Sequence, residues 1–351
     1  MSVNPIPASQ FDAAKGSETH TRADQIALAE APQSLPKKRG FLRRLGMIAA
    51  VVVGLILAGT VYETVAEDAD IRAYPPLGQM VDVGGYRLHI NCTGTGSPTV
   101  VIDAGWGDWS LGWSQVQAEL SNTTRVCTYD RAGMGYSESG PLPRNAEQFA
   151  TELHTLLERA HITGPYVLVG HSLGGLPVRV FADKYPAGVS GVVLVDSMSP
   201  RQMVEPTQDI APQTASQPNS IRLPFLLARI GVVRALAGPL GIVQEVSPDV
   251  QGAYAAFTVT PRNVQAWADE GASMQQSMAQ ADAVKTFGDL PLIVLTAGLN
   301  DYQGWPEMQV ELLQLSSNSR QIVVENSGHA IHVQHPHTAT AAIVSMVLQV
   351  R

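Results

Sequence analysis

The sequence predicts an α/β protein built on a mostly parallel sheet with helices on both faces. Short runs such as TVVID, YVLVG, GVVLVD and LIVLTA are almost wholly apolar, the mark of strands buried on both faces. Segments with helical spacing separate them, as in successive βαβ units. The alternation stops after Ser197 and resumes near residue 289, so a separate segment is inserted into the sheet.

The N-terminal part precedes that pattern. Residues 1–40 are rich in Ala, Ser, Gln, Pro and mixed charge and lack apolar periodicity, which predicts a disordered tail. Leu45 to Tyr62 carries no charge, and residues 41–63 read as a transmembrane anchor. Lys37, Lys38, Arg39, Arg43 and Arg44 precede it, and Glu63, Glu67, Asp68 and Asp70 follow. The excess of Lys and Arg predicts a cytoplasmic N-terminus, with the large C-terminal part outside. A cleaved signal peptide, cut after Thr64-Val65-Ala66, is the competing reading. Its n-region would be unusually long, and its apolar run longer than most. Residues 64–77, with Pro75-Pro76, read as a linker.

The core spans 78–197 and 289–351. QMVDVGGYRLHINCTG reads as a hairpin around Gly84-Gly85, followed by the strand TVVID. GWSQVQAELSNTT has helical spacing, and RVCTYDRAG holds the next strand. NAEQFATELHTLLERAHI places Phe149, Leu153, Leu156 and Leu157 on one helical face. The strand YVLVG leads into a helix that stops at Pro186, and VSGVVLVDS is again a strand. Residues 198–288 hold the Pro-punctuated apolar stretch LPFLLARIGVVRALAGPLGIV and the Met/Gln-rich NVQAWADEGASMQQSMAQADAV, a mostly helical lid. LPLIVLTAG, PEMQVELLQLS, RQIVVENSG and HTATAAIVSMVLQV close the chain as strand, helix, strand and helix.

The composition suits a folded body. Of 351 residues, 45% are hydrophobic and 15% charged, enough for a sizeable core. A net charge of -8 and the absence of a long basic block argue against nucleic acid as a partner.

Gly170-His171-Ser172-Leu173-Gly174 sits where strand turns to helix and fits G-x-S-x-G. A sharp turn there strains the serine backbone and lifts its hydroxyl clear of the sheet. Side chains at the flanking positions would strike neighbouring backbone, hence glycine. Further motifs follow in order: Asp103-Ala104-Gly105-Trp106-Gly107, Asp130-Arg131-Ala132-Gly133-Met134-Gly135-Tyr136-Ser137, and Ser327-Gly328-His329.

On these residues, positions 78 to 351 resemble the α/β-hydrolase superfamily. The resemblance implies a mostly parallel eight-stranded sheet with a helical lid. It implies Ser172 as nucleophile and His329 as base. Asp301, in Gly298-Leu299-Asn300-Asp301, is the preferred acid, with Asp196 at the end of GVVLVD the alternative. The Trp106 and Leu173 N–H groups would form the oxyanion hole, although the family's usual leading histidine is absent, with Asp103-Ala104 in its place. Asp130 and Arg131 read as a buttressing turn and His171 as a packing residue. Trp109 and Trp113 are candidates for pocket or core. The family's strand order brings the strands of Cys92 and Cys127 together, so the pair is either a disulfide of an exported domain or two reduced core thiols.

His332, His335 and His337 fit no zinc signature and read as a solvated loop, so neither metal nor cofactor is implied. Epoxide hydrolases and haloalkane dehalogenases of similar architecture need an aspartate at position 172, which is serine here. The expectation is therefore a hydrolase of carboxylic esters with apolar acyl groups, acting on a small-molecule ester. The alternatives are an acyltransferase or peptidase on the same triad, or a non-catalytic binding module.

Overall fold

The computed structural model describes residues 38–203 and 222–351. The chain divides into two units, residues 1–52 and 53–351. Helix α1, Lys38–Ala73, runs across that division. The predicted linker is thereby corrected, because helix continues through most of 64–77. No Pro lies between Lys38 and Pro75, and residues 59, 63, 66, 67 and 70 form one partly buried face at helical spacing. α1 is long and apolar enough to cross a membrane, and none of its apolar window is buried.

The sheet has eight strands: β1 Gln79–Asp82, β2 Arg87–Thr93, β3 Thr99–Asp103, β4 Val126–Tyr129, β5 Tyr166–His171, β6 Val189–Val195, β7 Leu292–Ala297 and β8 Ser319–Val324. Their spatial order is β1-β2-β4-β3-β5-β6-β7-β8. β1 pairs antiparallel with β2, and β2 antiparallel with β4. All later pairs are parallel. The predicted α/β class and the number of strands both hold.

The other helices are α2 Ser114–Leu120, α3 Ala146–Arg159, α4 Gly175–Lys184, α5 Arg222–Arg229, α6 Val232–Ala237, α7 Pro248–Thr258, α8 Pro261–Ala272, α9 Met274–Ala283, α10 Trp305–Leu312, α11 Ile331–Gln334 and α12 Pro336–Gln349. Strand pleating divides the core into two. Val100, Ile102, Val167, Val169, Val193 and Val195 pack with Val116 and Ile343 on one face. Val101, Leu168, Val192 and Leu194 pack with Leu153 and Phe181 on the other. Every residue of β3, β4 and β7 is buried, which is why those runs are continuously apolar.

Cys92 and Cys127 stand directly opposite in the β2–β4 register and form a disulfide. Among the described residues the insertion is helical, α5 to α9. Residues 204–221 of the predicted lid, and all but the last three residues of the predicted tail, lie outside the described residues.

Candidate active site

Parallel strands put the ends of β3, β5, β6, β7 and β8 along one edge of the sheet, and the chemistry gathers there. Ser172 follows β5 with φ +50°, a left-handed conformation that costs a non-glycine residue energy. A Cβ on Gly170 would lie 2.6 Å from the Gly174 carbonyl oxygen. A Cβ on Gly174 would press on the carbonyl oxygens of Asp103 and Ala104. The elbow therefore lies against the loop after β3, and glycine is needed at both flanks.

That loop carries Trp106. A Cβ on Gly105 would stand 3.4 Å from Ser172 Cβ, so loop and serine are in van der Waals range. Among the described hydrogen bonds, neither the Trp106 N–H nor the Leu173 N–H has an acceptor. Leu173 directly follows the serine, and α4 begins three residues past it, at Gly175.

His329 follows β8. Its Nδ1 stands 2.7 Å from Asp196 Oδ2. Asp196 is completely buried and has φ +40°, again left-handed. Its Oδ1 also accepts the Ala297 N–H at 2.9 Å and the Trp305 Nε1–H at 2.7 Å, and its Oδ2 accepts Asn300 Nδ2–H at 2.8 Å. Four donors face this carboxylate. An Nδ1–H donated to Asp196 leaves the His329 Nε2 lone pair free.

The structure brings Asp196, not the preferred Asp301, to His329. Asp301 is exposed, and no described side-chain bond joins it to His329. Asn300, its neighbour on the same loop, points to Asp196 instead. β6 and β7 run in register, Val195 beside Leu295, so the end of β6 lies next to the loop after β7. The histidine meets the carboxylate one strand earlier than expected. Trp305 and Asn300 were missed because only the folded loop aims them. A tryptophan eight residues past the end of β7, opening α10, carries no sequence signal for that role.

Ser172 Oγ and His329 Nε2 share no described hydrogen bond. They are linked through His171, whose Nε2 stands 3.0 Å from the His329 carbonyl oxygen. A carbonyl accepts only, so His171 carries its proton on Nε2. Burial lowers the His171 pKa well below 6.5, reinforced by His332 and His329. His332 is buried, not solvated as expected, stacked on Trp113 at 4.3 Å between ring centres and 3.2 Å from Asp108 Oδ2. Its helix α11 turns inward. His335 bonds the Asn326 carbonyl, and His337 is exposed beside Glu119. The side chains of Asp108, His171 and His332 gather within 4.8 Å.

Asp130 and Arg131 serve as the expected buttress. Asp130 accepts the Ser110 and Tyr136 N–H groups and pairs with His89 at 2.9 Å. Burial works against its ionisation, but His89 and these donors outweigh it and lower its pKa. Arg131 bonds Asp103 and the carbonyls of Ala104 and Gly105, fixing the loop beside the serine, and reaches Glu270 of α8 at 2.7 Å. Trp109 stacks on Tyr254 of α7 at 5.4 Å, joining core to lid. Trp106 stacks on Trp267 of α8 at 4.9 Å, and both remain 40% exposed at the serine loop.

A family model described as alpha/beta hydrolase fold matches residues 98–336. The chain belongs to the α/β-hydrolase family. It is 27% identical to a Schizosaccharomyces pombe protein over 285 residues, covering 70% of this chain and 50% of that one. The chain thus spans about half the length of that relative. It is 26% identical over 272 residues to the (lyso)-N-acylphosphatidylethanolamine lipase of Bos taurus, covering 70% of this chain and 78% of the lipase. Among solved structures, an esterase from Thermogutta terrifontis superposes with a TM-score of 0.60 at 23% identity, covering 78% of this chain and 98% of its own, a likeness of fold alone.

Proposed function

We propose that this hydrolase cleaves carboxylic esters through Ser172, His329 and Asp196. The reading rests on one observation above all: a buried carboxylate 2.7 Å from the Nδ1 of His329, whose carbonyl is bonded to the residue preceding a left-handed serine. A serine hydroxyl needs a base to become a nucleophile, and a histidine held in one tautomer by a carboxylate supplies it.

His329 Nε2 takes the Ser172 proton as Oγ bonds to the ester carbonyl carbon. The carbonyl oxygen becomes an oxyanion and accepts from the Leu173 and Trp106 N–H groups, each worth roughly 3 to 4 kcal/mol in comparable sites. The intermediate collapses, the C–O bond breaks, and the alcohol leaves with the proton from His329. Water then attacks the acyl-enzyme with His329 again as base, freeing the acid and restoring Ser172. Asp196 holds the ring and stabilises its charged form. Catalytic hydrogen bonds commonly tighten only with substrate bound, which accommodates the unformed Ser172–His329 bond.

The Trp106–Trp267 plate and the apolar lid favour apolar acyl chains, in keeping with the lipase name of the bovine relative. The α1 helix would anchor the enzyme in a membrane, with its basic N-terminal flank cytoplasmic and the catalytic unit outside. An acyltransferase or peptidase would form the same acyl-enzyme and differ only in acceptor or leaving group. A fluorophosphonate probe should label wild type and leave Ser172→Ala unlabelled. p-Nitrophenyl esters of increasing chain length, offered with and without competing alcohols and beside peptide substrates, then sort the alternatives. Folded protein that neither labels nor hydrolyses any ester would leave a binding module.

A further inference from the structure

The face of α1 formed by Gly59, Glu63 and Asp70 is docked on the lid. A Cβ on Gly59 would press on the carbonyl oxygen of Ile230, so helix and lid backbone touch there. Gly231, at φ +74°, leaves room for the Tyr62 ring. Arg234 of α6 grips α1 at two levels. Its Nε and Nη2 donate to both oxygens of Glu63, each at 2.9 Å, and its Nη1 to Asp70 at 2.7 Å. The Glu63 side chain is completely buried. A buried carboxylate is costly unless paired, and Arg234 pairs it through a planar bidentate contact.

This attachment falls where the uncharged stretch ending at Tyr62 gives way to acidic residues, the position of a membrane–water boundary if α1 spans. The lid helices attached there present leucines outward. Leu223, Leu226 and Leu227 lie on one face of α5, at spacing i, i+3, i+4, and all are exposed. Leu236 of α6, and Leu240 and Ile242 just past it, are exposed too. Leu55, Leu57 and Val61 of α1 are exposed as well. Exposed apolar side chains thus lie both on the spanning helix and on the lid segment attached to it. Exposed leucines on an element fastened to a membrane helix mark a lipid contact more readily than a solvated surface.

We propose that Arg234 clamps α5 and α6 to α1 so that the leucine face of the lid lies in the bilayer interface. The occupant is lipid, not a protein partner. The inference rests on α1 being a membrane anchor, and it holds whether or not Ser172 attacks esters.

The test uses the full chain in nanodiscs, with single cysteines placed at Leu226, Leu240, Leu55 or Leu348 and labelled with bimane. Cys92 and Cys127 are bonded to each other and leave no competing thiol. Brominated phosphatidylcholine should quench bimane at 226 and 240 at least about twofold, as at 55, and leave 348 on α12 unaffected. Quenching at 55 but not at 226 and 240 would overturn the lipid contact while sparing the anchor. No quenching at any site would overturn both. Labels at 226 and 240 shielded from both iodide and bromolipid would mean a protein occupant, which also refutes the proposal. In Arg234→Ala, quenching at 226 and 240 should fall by about half or more with 55 unchanged. Undiminished quenching there would rule out the clamp.

Discussion

At Asp196 the carboxylate meets four donors, and one of them is His329 Nδ1. An amide at 196 would turn an N–H toward the ring and favour the wrong tautomer. Asp196→Asn should therefore lower kcat by about 10^3- to 10^4-fold in a p-nitrophenyl ester assay. Asp301→Asn should leave it near wild type, since Asp301 is exposed. The reverse pattern would restore Asp301 as the acid. His171 makes a different prediction. Its ring stays neutral in the fold because burial depresses its pKa well below 6.5. An unfolded chain binds that proton as pH drops below 6.5, and the folded chain does not. Stability should then fall with pH by up to about 1.4 kcal/mol per unit from this group alone. Urea midpoints between pH 7.5 and 5 should show a shallower slope in His171→Gln; an identical slope would mean the ring protonates in place. The sequence marks Ser172 and His329 by their motifs. It offers two carboxylates, Asp196 and Asp301, each just past a strand, and no local feature separates them.

At the scale of elements, the strand-to-helix turn at Ser172 depends on backbone contact with the loop after β3. Gly174→Ala would drive a methyl group onto the Asp103 and Ala104 carbonyls. A cost of about 1–3 kcal/mol is expected, with slower fluorophosphonate labelling because the Trp106 loop must move. The β2–β4 pair is closed by Cys92–Cys127, residues 35 apart in sequence. Replacing both, Cys92→Val with Cys127→Ala, should lower stability by about 2–4 kcal/mol in chemical unfolding. The inner strands β3 to β7 are legible because pleating with both faces buried demands nearly continuous apolar runs. The extent of α1 is not. An acidic stretch reads as a linker until Arg234, far along the chain, pairs with Glu63 and Asp70. His332 likewise reads as solvated until α11 turns it onto Trp113.

Across the whole molecule, core and lid are joined by a buried charge cluster. Arg131 holds Asp103 of the core and Glu270 of the lid, all nearly inaccessible to solvent. Arg131→Met would leave two buried carboxylates without their cation, at a cost of about 3–5 kcal/mol. Arg131→Met with Glu270→Leu should recover part of that, and chemical unfolding of the two variants measures the difference. Sequence by itself determined the α/β class, the order of strands and helices, the inserted lid, the elbow serine and the loop histidine. Each is written in local periodicity or in a short motif whose residue types answer to nearby backbone. Only the tertiary structure decided the carboxylate at His329, the partners of Arg131 and the seat of α1 on the lid. These are meetings of residues far apart in the chain, and strand register and loop path, rather than local pattern, fix which of them come within hydrogen-bonding reach.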